Sequence, residues 1–470
     1  MPLIKSISGI RGTLGDRPGE DLTLSDVVSF ARAFGNLIKA KDWGNKIVVG
    51  RDARPSGPVF RDLIVKTLLA EGFKVVDLGL ATTPTVEMAV IGEQAAGGII
   101  ISASHNPIEW NALKLLNNEG EFLSAADGQN LLEIATHQEK GAPSIGTDQN
   151  NLAIDNSYYQ KHIDSVVKLK LIDTPAIRKA NFKVVVDGIN SIGGLIIPDL
   201  LEKLGAKEII KLNCEPNGQF AHNPEPLEKN LTQLSEAVIA NQADLGLVVD
   251  PDVDRLAFMD ERGKMFGEEY TLVAVADYVL KNYCPCLYQK ASVSNLSSSR
   301  ALKDVTEKHG GLYEAAAVGE VNVIVKMKEI GAVIGGEGNG GVILPELHYG
   351  RDALVGTALF LSALAQSGQK ISEFRKNFPD YHMIKDKIEL TPGINVKELL
   401  KKLQTEYQGS PELVKISDID GLKIDYPDCW LHLRASNTEP IIRLYGEAKG
   451  QRLISQKVAE IKLKILAYIK

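Results

Sequence analysis

Residues 97–114 read "GGIIISASHNPIEWNALK". The apolar run has the length of a buried strand, and it stops abruptly at Ser-Ala-Ser-His-Asn-Pro. Lys114 follows ten residues after Ser104. Ser, Asn and Pro all favour turns, so a plain turn accounts for the composition. The same residues also suit the carboxyl end of a strand in an open α/β sheet, where ligands collect. The surrounding pattern decides between the two.

Upstream, Val27, Phe30, Ala31, Phe34, Leu37 and Ile38 share one face of a helix expected over 25–41. "KIVVG" (46–50) predicts a strand, Pro58 the start of a helix, and "FKVVDLG" (73–79) another strand. This alternation into "GGIII" is the signature of an α/β layer with a mostly parallel sheet. It restarts at "NFKVVVDGINSIGG" (181–194) and again after "GLVVDPDVDR", in a unit that includes "GAVIGGEGNGGVI" (331–343). The strand starts "KIVVGRDARPSG", "KVVVDGINSIGG" and "LGLVVDPDVDR" resemble one another as a possible repeat. Residues 136–160 are polar and aperiodic and read as a linker, and 367–382 as a further boundary. The last 90 residues read as α+β and end in an amphipathic helix over 450–469.

The 470 residues exceed one compact core and suggest about three domains by length alone. With 53 basic and 60 acidic residues the formal charge is −7, which argues against nucleic acid or an anionic membrane as partner. An anionic substrate would need a local cluster of cations. "MPLIKSISGIRG" lacks the apolar core of a signal peptide, and no 18 apolar residues run together, so a cytoplasmic protein is expected. Cys284-Pro285-Cys286 has no companion pair or His cluster, which makes zinc a poor fit.

Three more segments carry chemistry. In "VVDPDVDRL", Asp250, Asp252 and Asp254 alternate, so on a plain strand all three would face one side. Such carboxylates repel one another unless a cation lies between them, and hard oxygen ligands suit Mg²⁺. A solvated acidic turn is the plain alternative. An EF-hand fails because Arg255 stands where glycine is needed. A phosphatase of the haloacid-dehalogenase type, with Asp250 as nucleophile, would leave the Ser104 segment unexplained. "GGEGNGGVILPE" satisfies the dinucleotide fingerprint literally, but "GVILP" predicts a strand where a helix should open. Glu337 and Asn339 there suit adjacent sugar hydroxyls. "LHLRASNTEPIIRLYGE" (431–447) sets Arg434, Ser436, Asn437, Thr438 and Arg443 around a turn, as a phosphate cradle requires. At the serine loop a hydrolase reading fails, since Gly-x-Ser-x-Gly is absent and neighbouring His105 is poorly placed as a base for Ser104.

Together these segments resemble the α-D-phosphohexomutase family over essentially the whole chain. "SASHNP" is similar to its phosphoserine loop, "DPDVDR" to its metal loop, "GEGNGG" to its sugar loop and "RASNTEPIIR" to its phosphate loop, in the family's order. The resemblance implies three related mixed-sheet α/β domains and a C-terminal α+β domain around a cleft. The expected divisions are 1–150, 151–257, 258–370 and 371–470. It implies Ser104 as the phosphorylated residue, with Asp250, Asp252, Asp254 and the Ser104 phosphate holding Mg²⁺. Lys114 and Arg11, with His105 in the same loop, would flank the transferring group, and Arg255 would lie behind the metal. Glu337 and Asn339 would meet sugar hydroxyls, and Arg434, Ser436, Asn437, Thr438 and Arg443 the non-reacting phosphate. Gly341 departs from many bacterial members, which carry His there, so Lys114, Arg11 or another group must serve as acid or base. "GEGNGG" and "AVGEVNV" (317–323) look like the archaeal-type branch.

The expected activity is interconversion of hexose or hexosamine 1- and 6-phosphates through a hexose 1,6-bisphosphate. Glucosamine phosphate is favoured, mannose or glucose phosphate being the alternatives. An Asp250 phosphatase and a non-catalytic sugar-phosphate sensor are the readings from other classes.

Overall fold

The computed structural model describes residues 3–6, 9–137, 149–283, 290–391, 394–409, 412–436 and 440–469. Cys284, Cys286, Asn437 and Thr438 lie outside them. The chain builds four sheets, a seven-stranded, two four-stranded and a five-stranded one, with helices packed against them. Among the described residues no helix is long and apolar enough to cross a membrane.

The first three sheets share one plan. In the first, Lys46–Arg51, Lys74–Leu80 and Gly97–Ile101 run parallel, and Trp110–Leu116 returns antiparallel beside the last of them. In the second, Lys183–Asp187, Glu208–Leu212 and Leu245–Val249 are parallel, and Leu256–Asp260 returns. In the third, Ala291–Asn295, Leu312–Ala316 and Ile334–Glu337 are parallel, and Gly341–Ile343 returns. Each sheet therefore ends its parallel run in a hairpin. The three hairpin loops carry Ser104, the aspartates and Asn339. The fourth sheet is antiparallel, and the turn between Cys429–Ala435 and Ile441–Ala448 carries Ser436.

Three expectations need correction. The strand beginning at Leu245 is not a counterpart of the strands that open the first two units, as the possible repeat had it: it pairs with Lys183–Asp187 as the last parallel strand of the second sheet. The true repeat is the hairpin, whose return strand the period of two does not mark, because Trp110–Leu116 is buried on both faces. The segment 136–160 is more than a linker: Leu152–Ile154 adds to the edge of the first sheet and a helix begins at Ser157. Similarly, Leu256–Asp260 carries the second sheet past residue 257.

The periodic helix forms over Leu24–Lys41, its first turn closed by a capping box between Thr23 and Asp26. The first and fourth units each enclose their own apolar core. The second and third share a large one, in which Phe258 stacks on Phe360 with ring centroids 3.8 Å apart, and each keeps a smaller cluster of its own. The helix Ala353–Ser367, apolar nearly all round, fills the space between them.

Candidate active site

Ser104 stands in the hairpin loop after Gly97–Ile101 with φ +50°, an uncommon conformation for a residue with a side chain. Its surroundings enforce that geometry. The Ser102 hydroxyl accepts the Ser104 N–H at 2.9 Å and donates to Asp52 at 2.7 Å. Fully buried Arg54 pairs with Asp52 at 3.0 Å and donates to the carbonyls of Ser104, Asn106, Pro107 and Trp110. Sequence reasoning noted "KIVVGRDARPSG" only as one of three similar strand starts and missed this clamp. The signal was there: two opposite charges at i and i+2 directly after a strand.

Across the unit boundary, the Ser104 hydroxyl donates to Asp250 Oδ2 at 2.6 Å. His105 Nδ1 lies farther off, 3.4 Å from Ser104 Oγ. Burial, with Arg255 and Arg11 nearby, holds the His105 imidazole well below its usual pKa, so it is neutral.

The three aspartates converge, though not as a strand would present them. Residues 250–255 form a tight turn in which Val253 takes φ +62°, and the curl brings the carboxylates within 4.8 Å of one another. Asp250 Oδ1 accepts the N–H groups of Asp254 and Arg255, both at 3.1 Å. The first unit braces this turn: Thr83 N–H donates to Asp252 O at 2.9 Å, and Ser191 bridges Ala53 N–H to Pro251 O. Asp252 Oδ1 and Asp254 Oδ1 are buried without hydrogen-bond partners. Burial and the two neighbouring aspartates push the Asp250 carboxyl far above its usual range. Unpaired hard oxygens around concentrated negative charge fit a divalent cation of the Mg²⁺ class.

Lys114 and Arg11 arrive from neighbouring strands. Arg11 is opposite Ala112 in the ladder, and Lys114 lies two residues on, so both side chains leave the same face. Lys114 Nζ donates to Asp252 and, at 3.3 Å, to Asp254. Burial opposes its charge, but the two aspartates outweigh burial and raise its pKa, so Lys114 is a fixed cation here. Arg11 donates to Asn106 at 2.9 Å. Arg255 is 3.7 Å from Glu225, and its buried Nε has no hydrogen-bond partner. Ser104 thus meets the aspartate turn directly, and Lys114 joins the same turn from the first unit, while Arg11 holds Asn106 of the serine loop.

In the third hairpin Glu337 is buried and already engaged. Its Oε1 accepts from Asn295 at 2.8 Å and Gly319 N at 3.1 Å, and its Oε2 from Arg351 at 2.8 Å. Asn339 accepts the Gly341 N–H at 3.2 Å. No helix opens at Gly341, which starts the return strand, so the dinucleotide fingerprint is coincidental. Arg351 went unnoticed in the sequence. It binds Glu337 and, at 2.7 Å, Asp254, so it ties the metal turn to this hairpin.

In the fourth sheet Arg434 and Arg443 are direct cross-strand partners, and Lys387 is opposite Arg443 on the next strand. Three cations in one row repel one another unless an anion lies over them. Arg434 pairs with Asp420 at 2.7 Å, and Asp420 accepts Val318 N–H from the third unit. Lys387 was missed because its place in the row exists only in the folded register. Polar contacts therefore run unbroken from Ser104 through Asp250, Asp254, Arg351, Glu337 and the 318–319 turn to Arg434.

Comparison with known proteins agrees with this architecture. Four successive domain families match: phosphoglucomutase/phosphomannomutase alpha/beta/alpha domain I over 4–142, domain II over 158–263, domain III over 267–381 and the C-terminal domain over 387–464. A phosphoglucomutase/phosphomannomutase of Thermococcus kodakarensis is 35% identical over 461 residues, covering 97% of this chain and 98% of its own. A phosphoglucosamine/phosphogalactosamine mutase of Sulfurisphaera tokodaii is 31% identical over 456 residues, covering 97% of each. The crystal structure of a phosphoglucomutase/phosphomannomutase family protein from Burkholderia thailandensis superposes with TM-score 0.82 at 26% identity over 98% of both chains.

Proposed function

We infer that this chain, which belongs to the phosphoglucomutase/phosphomannomutase family and is a phosphohexomutase, moves a phosphoryl group through Ser104, with glucosamine phosphate as its preferred substrate. The observation that carries the reading is the contact of the Ser104 hydroxyl with Asp250, beside Lys114 and two buried, unpartnered carboxylate oxygens. A phosphatase using Asp250 as nucleophile would need that carboxylate free in line with substrate. Instead it accepts from Ser104 and from two backbone N–H groups.

In the proposed cycle phosphorylated Ser104 gives its phosphoryl group to the free hydroxyl of a bound hexose phosphate. The O–P bond at Ser104 Oγ breaks, one forms at the sugar oxygen, the sugar hydroxyl's proton ends on Ser104 Oγ, and a bisphosphate results. The bisphosphate turns end over end, and Ser104 Oγ takes back the other phosphoryl group as its proton returns to the sugar oxygen that is released. A loose transition state demands in-line placement and positive charge more than covalent help. Lys114, Arg11 and Arg255 supply fixed charge from the protein. Mg²⁺, held by Asp250, Asp252 and Asp254, would add charge against the phosphoryl oxygens. Glu337 and Asn339 orient sugar hydroxyls, and Arg434, Ser436, Asn437, Thr438 and Arg443 grip the distal phosphate. Placement of this kind is worth about 7–11 kcal/mol of barrier.

Glucosamine phosphate is favoured by the amino-sugar relative and by the archaeal-type hairpin "GEGNGG". Mannose or glucose phosphate is the second reading, favoured by the Thermococcus relative. A coupled assay across glucosamine, glucose and mannose 1- and 6-phosphates with Mg²⁺ decides. The highest kcat/KM is expected for glucosamine, and a clear preference for mannose or glucose would overturn that choice. The reading also places the enzyme in the cytoplasm, where sugar phosphates are made and used.

A further inference from the structure

Residue 341 is glycine for reasons of space. Its backbone lies outside the left-handed region, yet a Cβ there would come within 2.3 Å of Arg351 Cδ and 3.0 Å of Arg351 Cγ. The Arg351 stem fills the volume that any side chain at 341 would use. From there its head reaches three carboxylates on three segments. It donates to Asp254 at 2.7 Å and Glu337 at 2.8 Å, and its Nε is 3.2 Å from Glu320. Its own N–H is held by Glu320 at 2.7 Å. The two terminal guanidinium nitrogens are thus each hydrogen-bonded to a protein carboxylate, while buried Nε faces Glu320 without a hydrogen bond.

We propose that Arg351 is the positioning residue that couples the metal turn to the sugar hairpin, seated where a side chain on residue 341 would otherwise stand. The inference rests on the mutase reading. It fixes Glu337 in one orientation: both acceptor sites of Oε1 are filled by Asn295 and Gly319, and Arg351 takes one site of Oε2. A carboxylate has roughly four such sites. One remains strong and open on Oε2, beside the weak 3.5 Å contact from Asn339, and it can receive a sugar hydroxyl. Arg351 also offsets the charge of Asp254 and Glu320, which would otherwise stand buried beside Glu337. Lysine could not replace it, because one ammonium cannot span three carboxylates in a plane.

The test compares wild type, Arg351→Ala, Arg351→Lys and Gly341→Ala. Readouts are kcat and KM for glucose 1-phosphate with Mg²⁺, and calorimetric affinity for glucose 1-phosphate without metal. Both arginine variants should lose about 10–100-fold in kcat/KM, the usual cost of removing a group that orients a ligand. They should also bind the sugar phosphate more weakly without metal. Millimolar guanidinium should restore part of the loss in Arg351→Ala, while equal sodium chloride does not. Gly341→Ala keeps every charge but displaces the Arg351 stem, so it should lose kcat/KM in the same direction, and it carries the test if Arg351→Ala does not fold. Near-normal kcat/KM in Arg351→Ala or Gly341→Ala, or a loss in folded Arg351→Ala that guanidinium leaves untouched, would overturn the proposal. Wild type without phosphoryl transfer on glucosamine, glucose and mannose phosphates alike would bring down the mutase reading instead.

Discussion

Ser104 is held in a conformation it would not choose alone, and the force that holds it is electrostatic. Removing its hydroxyl deletes the acceptor of the phosphoryl group while leaving the Asp52–Arg54 clamp intact. Ser104→Ala should therefore fold normally and lose more than about 10³-fold in turnover, as removal of a nucleophile does elsewhere. Steady-state kinetics with added glucose 1,6-bisphosphate measures this. Arg54 illustrates the opposite case. It touches no reacting atom, but Arg54→Ala would leave Asp52 buried and unpaired and should cost about 3–5 kcal/mol, read by urea unfolding. Activity should fall with it, because four carbonyls of the serine loop lose their donor. Outside the site, His348 offers a pH test. Burial disfavours its charge, but Asp352 and Glu87 outweigh burial and raise its pKa from 6.5 to about 10. The raised value means that folding binds a proton, so this contribution is complete below pH 6.5 and disappears as pH rises through about 10. Unfolding free energy should decline across that window, and His348→Gln should flatten the decline.

At the scale of elements, three hairpins in one recurring place bring the serine, the aspartates and the sugar hairpin together. Gly340 shows how tightly they are set: at φ +82° a Cβ would meet Leu256 O at 2.0 Å, in the return strand of the neighbouring hairpin. Gly340→Ala should lower the melting temperature and raise KM for the sugar phosphate, as scanning calorimetry and kinetics would record. A normal KM would show that the two hairpins are set independently. The sequence made much of this legible. Ser104 and the three aspartates announced themselves by residue type after apolar runs, Lys114 by its place in the same segment as Ser104, and Arg11 only through the family resemblance. Ser104 meets Asp250, and Lys114 meets Asp252 and Asp254. What stayed hidden was relational. The spacing of Asp250, Asp252 and Asp254 suggested one face of a strand, whereas a turn with Val253 at positive φ achieves the convergence. Trp110–Leu116 gave no alternation because both its faces are buried, so the hairpin repeat was missed. Arg351 and Lys387 act through partners 14 or more residues away or on another strand, which no local pattern encodes, and the local Asp52–Arg54 pair does not reveal that Arg54 reaches the serine loop 50 residues on.

For the whole molecule, the division of the core matters most. The second and third units share one apolar interior, while the fourth has its own and meets the third through polar contacts. Arg300 donates to Asp425 and to the carbonyls of Tyr426, Pro427 and Cys429, Lys423 to Leu296 O, and Ser297 bonds His432. Polar interfaces of this kind let units move relative to one another. A swing of the fourth unit would give a bisphosphate room to turn. Arg300→Ala should loosen that closure, so bisphosphate should escape more often and turnover should depend more steeply on added glucose 1,6-bisphosphate. An unchanged dependence would argue that the fourth unit does not retain the intermediate. The most direct measurement is of the phosphoryl group itself. Enzyme is treated with labelled glucose 1,6-bisphosphate, digested and mapped by mass spectrometry, before and after a chase with unlabelled glucose 1-phosphate. The account predicts the adduct on Ser104 alone, and its transfer into sugar on the chase at a rate matching turnover. Active enzyme whose Ser104 never carries the adduct, or whose label resides on Asp250, would contradict it.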